Sequence, residues 1–191
     1  MGIKKIHKFQ KDNVYCPQGF FKVELISPEG KVVQQEFSKN IITYTGTNLF
    51  ARSLGGQLAS NPTHILVGGS TIIPGVFPPV NREDTELDSV TDPVVNPAHS
   101  RSELEIVAVG FSSAPNILNS SPETQNNNVV TFTAIMPGFP TDLTLNGKSF
   151  FEAGIINKQG STNLLMTHQF HTAIQKLEGF QLVYTWSVRF L

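Results

Sequence analysis

The sequence predicts a mainly β protein: an antiparallel β-sandwich or jelly-roll-like domain with one short helix and an extended N-terminal arm. Large apolar side chains alternate with polar ones in several separate segments, which is the period of a strand with one buried face. Stretches rich in Asn, Ser, Gly and Pro, rather than helices, connect these segments. Only one segment has apolar residues at helical spacing. Strands joined by loops favour an antiparallel architecture.

The clearest strand lies near the end of the chain. Its large apolar residues all fall on one side: Leu182, Tyr184, Trp186, Val188 and Phe190. Burying each such side chain stabilises a fold by roughly 1.5–3 kcal/mol, so this segment is predicted to be a core strand. Alternation or apolar runs predict further strands at residues 20–26, 31–37, 64–69, 103–111, 129–136, 150–157 and 163–170.

Turn residues separate several of these strands. The sequence Ser27-Pro-Glu-Gly30 has Pro at the second position and Gly at the fourth, as type I turns prefer, and predicts a hairpin. Asn146-Gly147 is a hairpin turn signal. A third turn is predicted at residues 158–160, between two strands.

One helix is predicted within residues 43–56. Leu49, Phe50 and Leu54 share a face at helical spacing, and Thr43 or Thr45 is suited to cap the start. The pair Gly55-Gly56 ends the helix because glycine permits a left-handed backbone.

A chain of 191 residues fits one domain with an arm. We expect a single domain over residues 19–191, with long loops at 70–102 and 112–128, preceded by an arm over residues 1–18. Long loops inside a compact domain are typical of functional surfaces. The arm combines lysines with apolar residues and is a candidate interaction segment. Its candidate contact residues are Ile3, Lys4, Lys5, Ile6, Lys8, Phe9 and Lys11.

Composition argues against several classes of partner. The net charge is −1, whereas nucleic-acid binders need clustered positive charge, so no nucleic-acid partner is expected. No apolar run approaches the roughly 20 residues of a membrane span, so no membrane partner is expected. The basic N-terminus lacks the apolar segment of a secretion signal. With Cys16 as the single cysteine, no intramolecular disulfide forms. We expect synthesis in a reducing cytoplasm.

The sequence carries no arrangement typical of catalysis. His168 and His171 are three apart in a predicted strand and therefore point to opposite faces, which prevents them from closing on one metal ion. The acidic run at residues 83–88 lacks the glycine of a calcium loop and is interpreted as a solvated loop. We therefore expect no catalytic residue, no metal and no cofactor, and a protein that is not an enzyme.

Five short segments, taken in order, resemble the structural proteins of tailed-bacteriophage virions. The first is Asn40-Ile-Ile-Thr-Tyr-Thr-Gly-Thr-Asn-Leu-Phe-Ala-Arg-Ser-Leu54. The others are Ile65-Leu-Val-Gly68, Asp84-Thr-Glu-Leu87, Glu152-Ala-Gly-Ile155 and Thr185-Trp-Ser-Val-Arg-Phe190. The resemblance extends over roughly residues 38–190. It implies a structural role in a virion and does not fix the location within the particle.

Within that class the resemblance favours a capsid cement or decoration protein. Its partners would be the major capsid protein and itself, as a homotrimer on the outer capsid surface. The alternative is a tail, neck, baseplate or fibre-attachment subunit. A different class, a carbohydrate-binding β-sandwich module, would need an exposed aromatic platform, whereas Trp186 lies in the predicted core strand.

Two of the resembling segments contain residues of opposite charge. We predict a buried or half-buried structural pair between Arg52 on the helix and Glu152, which would tie the two segments together. The competing interpretation is an exposed Arg52 that contributes under about 1 kcal/mol.

Overall fold

The computed structural model describes residues 17–73, 75–88, 91–94, 96–112 and 129–190. Nine strands are found in this part of the chain: β1 Gln18–Ile26, β2 Val32–Ile42, β3 His64–Ser70, β4 His99–Ser112, β5 Val129–Met136, β6 Ser149–Gln159, β7 Thr162–Leu165, β8 Thr167–Gln175 and β9 Gln181–Arg189. One α-helix, α1 Tyr44–Leu54, and two short 3-10 helices, Leu58–Ser60 and Leu143–Leu145, complete it. No helix among these is long and apolar enough to cross a bilayer.

The strands form a closed antiparallel barrel. Neighbours follow the order β3-β4-β5-β9-β1-β2-β8-β6, and β6 pairs again with β3 to close the ring. Strand β7 precedes β8 along the same side of β6, so the ring contains eight strands. The predicted β class with one helix is confirmed. The closed ring is not clearly a sandwich or a jelly roll, because the pairing of β3 with β6 joins the two ends of the sheet.

The barrel is filled by the apolar faces of its strands. Strand β9 contributes four fully buried side chains, Leu182, Tyr184, Trp186 and Val188, as its alternation predicts. The ring of Phe21 on β1 lies 4.6 Å from that of Trp186, centroid to centroid. Each large aromatic removes roughly 150–250 Å² from water, so this row dominates the barrel interior.

Two of the three predicted turns join adjacent strands. Residues 27–30 connect β1 to β2, with Ser27 N–H donating to the Lys31 carbonyl at 2.8 Å. Gly160, at φ +64°, lies between β6 and β7. The prediction of a hairpin at Asn146-Gly147 was wrong. Gly147 (φ +82°) leads from a 3-10 helix into β6, and its N–H donates to the Lys176 carbonyl, because Asn-Gly satisfies any turn that needs a left-handed residue.

The predicted helix is confirmed, including its cap. The Thr43 hydroxyl accepts from Gly46 N–H at 2.9 Å and donates to the Leu165 carbonyl at 2.7 Å. This one side chain therefore both starts α1 and fixes it to the junction of β7 and β8. Leu49 and Phe50 are buried as expected, whereas Leu54, in the last turn of the helix, is 71% exposed.

Gly46 generates the first prediction, since a Cβ there would lie 1.9 Å from the Met166 carbonyl oxygen. Gly46→Ala would push the helix away from the β7–β8 junction, so we expect it to destabilise the protein by about 3 kcal/mol in urea unfolding. Gly110→Ala is the matched control because its Cβ would meet only the Thr131 Cβ, at 3.9 Å. Equal stability of the two variants would contradict this close approach.

Candidate functional site

The long connection between β3 and β4 packs against the outside of the barrel. Phe77 stacks on Phe151 of β6 and Phe170 of β8, with ring centroids 5.1 and 5.0 Å away. Further along the connection, Leu87 is buried in a small apolar cluster with Leu66, Ile156 and Leu165. The connection therefore covers β6 and makes it a strand that is buried on both faces. We call its residues 71–98 the outer loop.

A histidine bonded to two carboxylates lies beneath the outer loop. His168 on β8 is 2% exposed, and its Nδ1 lies 2.6 Å from Asp84 Oδ2 of the outer loop. Its Nε2 lies 2.5 Å from Oε1 of Glu152 on β6, a residue with no exposed surface. Asp84 therefore joins the outer loop to the barrel wall through one imidazole. We call Asp84, His168 and Glu152 the buried triad.

The two carboxylates determine the charge of the imidazole. Burial lowers the pKa of His168, but the hydrogen bond and charge of Glu152, followed by those of Asp84, oppose burial, so the pKa is raised above its usual value of 6.5. In its protonated form the ring donates from both nitrogens, one to each carboxylate. Because both nitrogens are occupied by carboxylates, the ring has no lone pair left for a metal ion or for accepting a proton from a substrate.

Glu152 also binds the outer loop directly. Its Oε1 accepts from Asp88 N–H at 2.7 Å, and its Oε2 accepts from the hydroxyl of Thr91. Thr91 is fully buried and lies over Gly68 of β3, where a Cβ would come within 2.6 Å of the Thr91 side chain. A buried carboxylate needs donors at both oxygens, and here the loop backbone, a loop hydroxyl and the imidazole supply them.

Two arginines hold other parts of the outer loop. Arg101 of β4 donates to the carbonyls of Leu87 and Asp88, at 2.9 and 2.8 Å. The guanidinium of Arg82 lies over the Tyr44 ring, 4.8 Å from its centroid, and Tyr44 N–H donates to the Arg82 carbonyl. The outer loop is thus connected to β4, β6, β8 and the start of α1.

The anchored loop still presents apolar side chains to solvent. Ile72 is 64% exposed, Ile73 50%, Val76 85% and Val94 92%. Isolated exposed apolar residues are ordinary, but four on one anchored segment mark a candidate contact surface. This surface lies within the predicted loop 70–102, which the structure bounds at Ser70 and His99.

The predicted pair of Arg52 and Glu152 does not form. Arg52 is exposed on α1, and its Nε donates to Gln57 Oε1 at 2.9 Å. Glu152 is buried and bonded to His168 instead. The sequence prediction matched opposite charges in two segments, but α1 presents Arg52 to solvent and only β8 brings a cation to Glu152.

The interpretation of the acidic run as a solvated loop was half wrong. Glu83 and Glu86 are exposed, whereas the Asp84 carboxylate bonds to His168 and the backbone N–H of Asp88 donates to Glu152. The expectation that His168 and His171 point to opposite faces is confirmed. His171 packs inside against Phe21, with ring centroids 5.3 Å apart, and His168 lies outside. Alternation along β8 was the signal that separated the two histidines, but it did not identify the carboxylate partners of His168.

The candidate arm residues, Ile3, Lys4, Lys5, Ile6, Lys8, Phe9 and Lys11, and residues 113–128 of the second predicted loop lie outside the described part of the chain. In comparisons with known proteins, no family model, no curated protein and no solved structure matches this chain.

Glu152 supplies the second prediction. Glu152→Ala leaves a buried imidazolium with a single carboxylate and removes two contacts to the outer loop, so we expect a loss of about 3–5 kcal/mol. Arg52→Ala removes only an exposed hydrogen bond and is expected to cost less than about 1 kcal/mol. Urea unfolding of both variants measures the difference. A larger loss of stability for Arg52→Ala than for Glu152→Ala would support the pair of Arg52 and Glu152 predicted from the sequence.

The third prediction concerns pH, because the two histidines of β8 act with opposite signs. Burial lowers the pKa of His171 to about 4. Between pH 6.5 and this value the unfolded chain is protonated at His171 and the folded protein is not, so the free energy of unfolding falls as the pH drops below 6.5. The raised pKa of His168 means that its contribution is complete below pH 6.5 and is lost as pH rises through the folded-state value. We expect these two residues to place a stability maximum near pH 6.5.

NMR titration of the two imidazole rings measures both values directly. In urea unfolding, His171→Phe should remove about 2–3 kcal/mol of the change between pH 6.5 and 4.5, at 1.36 kcal/mol per unit. Titration of His168 below 6.5 would contradict the assignment of two carboxylate partners.

Proposed function

We propose that this protein is a structural protein of a tailed-phage virion, a capsid cement protein that binds the major capsid protein lattice on its outer surface as a homotrimer. The support is the ordered set of five segments that resembles such proteins. Four of these segments meet at one place: α1 and its cap, Gly68, Asp84–Leu87 and Glu152 surround the buried triad or the loop fixed to it.

The observation that carries the proposal is the anchored outer loop with its exposed apolar residues. A segment bonded to three strands and a helix is ordered before any partner binds, so little conformational entropy remains to be lost on binding. Its apolar residues, including Val76 and Val94, then supply contact area. A cement protein needs this combination because it acts by adhesion: bridging contacts between capsid subunits oppose internal pressure.

Within the proposal, the outer loop and the candidate arm contact the major capsid protein. A carbohydrate-binding module is disfavoured because Trp186 is fully buried in the barrel and offers no platform to a sugar ring. The tail, neck or baseplate alternative uses the same adhesive mechanism and differs in copy number.

The fourth prediction tests adhesion through the outer loop. The double variant Val76→Asp/Val94→Asp places charges on the exposed surface without touching the triad, so we expect normal folding and at least tenfold weaker binding to shells of major capsid protein in co-sedimentation. Tenfold corresponds to about 1.4 kcal/mol. Leu54→Asp on α1, also highly exposed, is the matched control.

Copy number in purified particles separates the two locations. Hundreds of copies indicate a lattice protein, whereas three to about twelve indicate the tail or neck, as expected from oligomer symmetry. Absence of the protein from particles, or unchanged binding by the double variant, would overturn the proposal for the outer loop.

A further inference from the structure

Strand β4 is paired on both sides over only part of its length. On one side it pairs with β3, from the pair of His99 with Ser70 to the pair of Glu105 with His64. One further hydrogen bond follows, from Ile106 N–H to the Thr63 carbonyl. Its pairing with β5 continues to Ser112. From Val107 onwards, β4 therefore has no partner strand on its β3 side within the described part of the chain. We call residues 107–111 the open edge.

The open edge lacks the features that normally keep an edge from pairing. Residues 106–112 read Ile-Val-Ala-Val-Gly-Phe-Ser and include no charge and no proline. Val107 is 62% exposed, Val109 50% and Phe111 69%. Strands β2 and β8 also face each other with little pairing, but there β2 carries Glu36 and Lys39, and Glu36 accepts from Thr172 N–H of β8 across the gap. Charged residues protect such edges, and an uncharged apolar edge is a template for pairing.

The three exposed side chains lie on one side of β4. Val109 is opposite the buried Phe132, and Phe111 is opposite Val130, so both lie on the face that continues the barrel interior. The register shift between Ile106 and Ala108 inserts Val107 as a bulge residue, which places it on the same face as Val109. Gly110 and Ala108 occupy the other face and present little bulk.

The position of the chain start helps to identify the occupant. Gln18 pairs with Arg189, Arg189 with Val129, and Val129 with Ser112, so β1 begins at the end of the barrel where β4 finishes. If residues 1–16 folded back onto the open edge of their own chain, they would run parallel to β4. Every described ladder in the barrel is antiparallel, the more stable arrangement.

We propose that the open edge pairs with the open edge of a second copy of this chain, antiparallel and around a two-fold axis. A register centred on Val109 places Val109 opposite its own symmetry mate and Val107 opposite Phe111 of the second copy. Apolar side chains then face each other in all three positions, Ala108 faces Gly110, and no like charges meet. The inference goes beyond the proposed function and does not depend on it.

The small size of this contact predicts how strong it is. Interfaces bury about 800 Å² per partner over 20–30 residues, so five residues bury roughly 150–200 Å² on each copy, well below the ~1,200 Å² total of a stable complex. Pairing through β4 alone is therefore weak and reversible in solution. It becomes effective where other contacts already hold copies side by side, since that raises the effective concentration.

Disulfide trapping is the fifth prediction and tests the pairing by its register. In a Cys16→Ser background, Val109→Cys places two thiols opposite each other across the axis, where Cα atoms about 4.5–5.5 Å apart permit a disulfide. We expect covalent dimers to form at least tenfold faster than for Val107→Cys. In Val107→Cys the two cysteines are four residue positions apart, although that side chain is more exposed. A mixture of Val107→Cys and Phe111→Cys chains should form mixed dimers.

Further variants separate the alternatives. Phe111→Asp added to Val109→Cys should abolish trapping, and circular dichroism checks that the barrel remains folded. Val94→Cys, at the most exposed of the described valines in the outer loop, measures trapping by random collision. Equal rates for Val94→Cys and Val109→Cys would overturn the proposal. Loss of trapping on deletion of residues 2–15 would overturn it as well, because the arm and not the second β4 would then form the contact.

Discussion

The structure depends on satisfying one carboxylate that has no access to water. Glu152 lies on the outside of the barrel, yet the outer loop covers it completely. A buried charge costs several kcal/mol unless a counter-ion and hydrogen-bond donors surround it. His168 supplies the counter-ion, and the outer loop supplies Asp88 N–H and the hydroxyl of Thr91. If the loop moved away without the imidazole following it, Glu152 would lose two of these three donors. The position of the outer loop is therefore tied to the charge on Glu152.

This requirement explains why residues distant in sequence belong together. Asp84 approaches His168 only because Leu87 and Phe77 hold the outer loop against β6 and β8. Thr91 lies over β3 only because residue 68 is glycine. His168 also pairs directly with Ile41 of β2, in the two-residue ladder that joins β2 to β8. This one residue thus lies where β2 meets β8 and where the outer loop is attached.

Much of the barrel could be predicted from sequence because its strands obey a local rule. The alternation in β9, the turn at residues 27–30 and the Thr43 cap all depend on neighbours a few positions away. The buried triad could not be predicted in this way. Asp84, Glu152 and His168 belong to three elements, and each has an ordinary exposed role when taken alone. The predicted partner of Glu152 was Arg52, because the sequence shows the charges of the two side chains but not the directions in which they point. Closure of the ring was likewise not predictable, since it depends on pairings between β3 and β6, whose partners lie 79 to 92 positions apart in the chain.

The interior and the outer layer of this barrel are stabilised in different ways, and the difference is relevant to the proposed adhesive role of the outer loop. The interior is apolar and includes His171, which burial keeps neutral because its pKa falls to about 4. The outer layer uses charge and hydrogen bonds, which are directional and fix one loop position where apolar packing tolerates several. An adhesive surface benefits from that restriction, because a loop held in one position loses little entropy when it binds. The open edge of β4 differs from the outer loop, since its order comes from the ladder with β5, and its β3 side has no partner strand among the described residues.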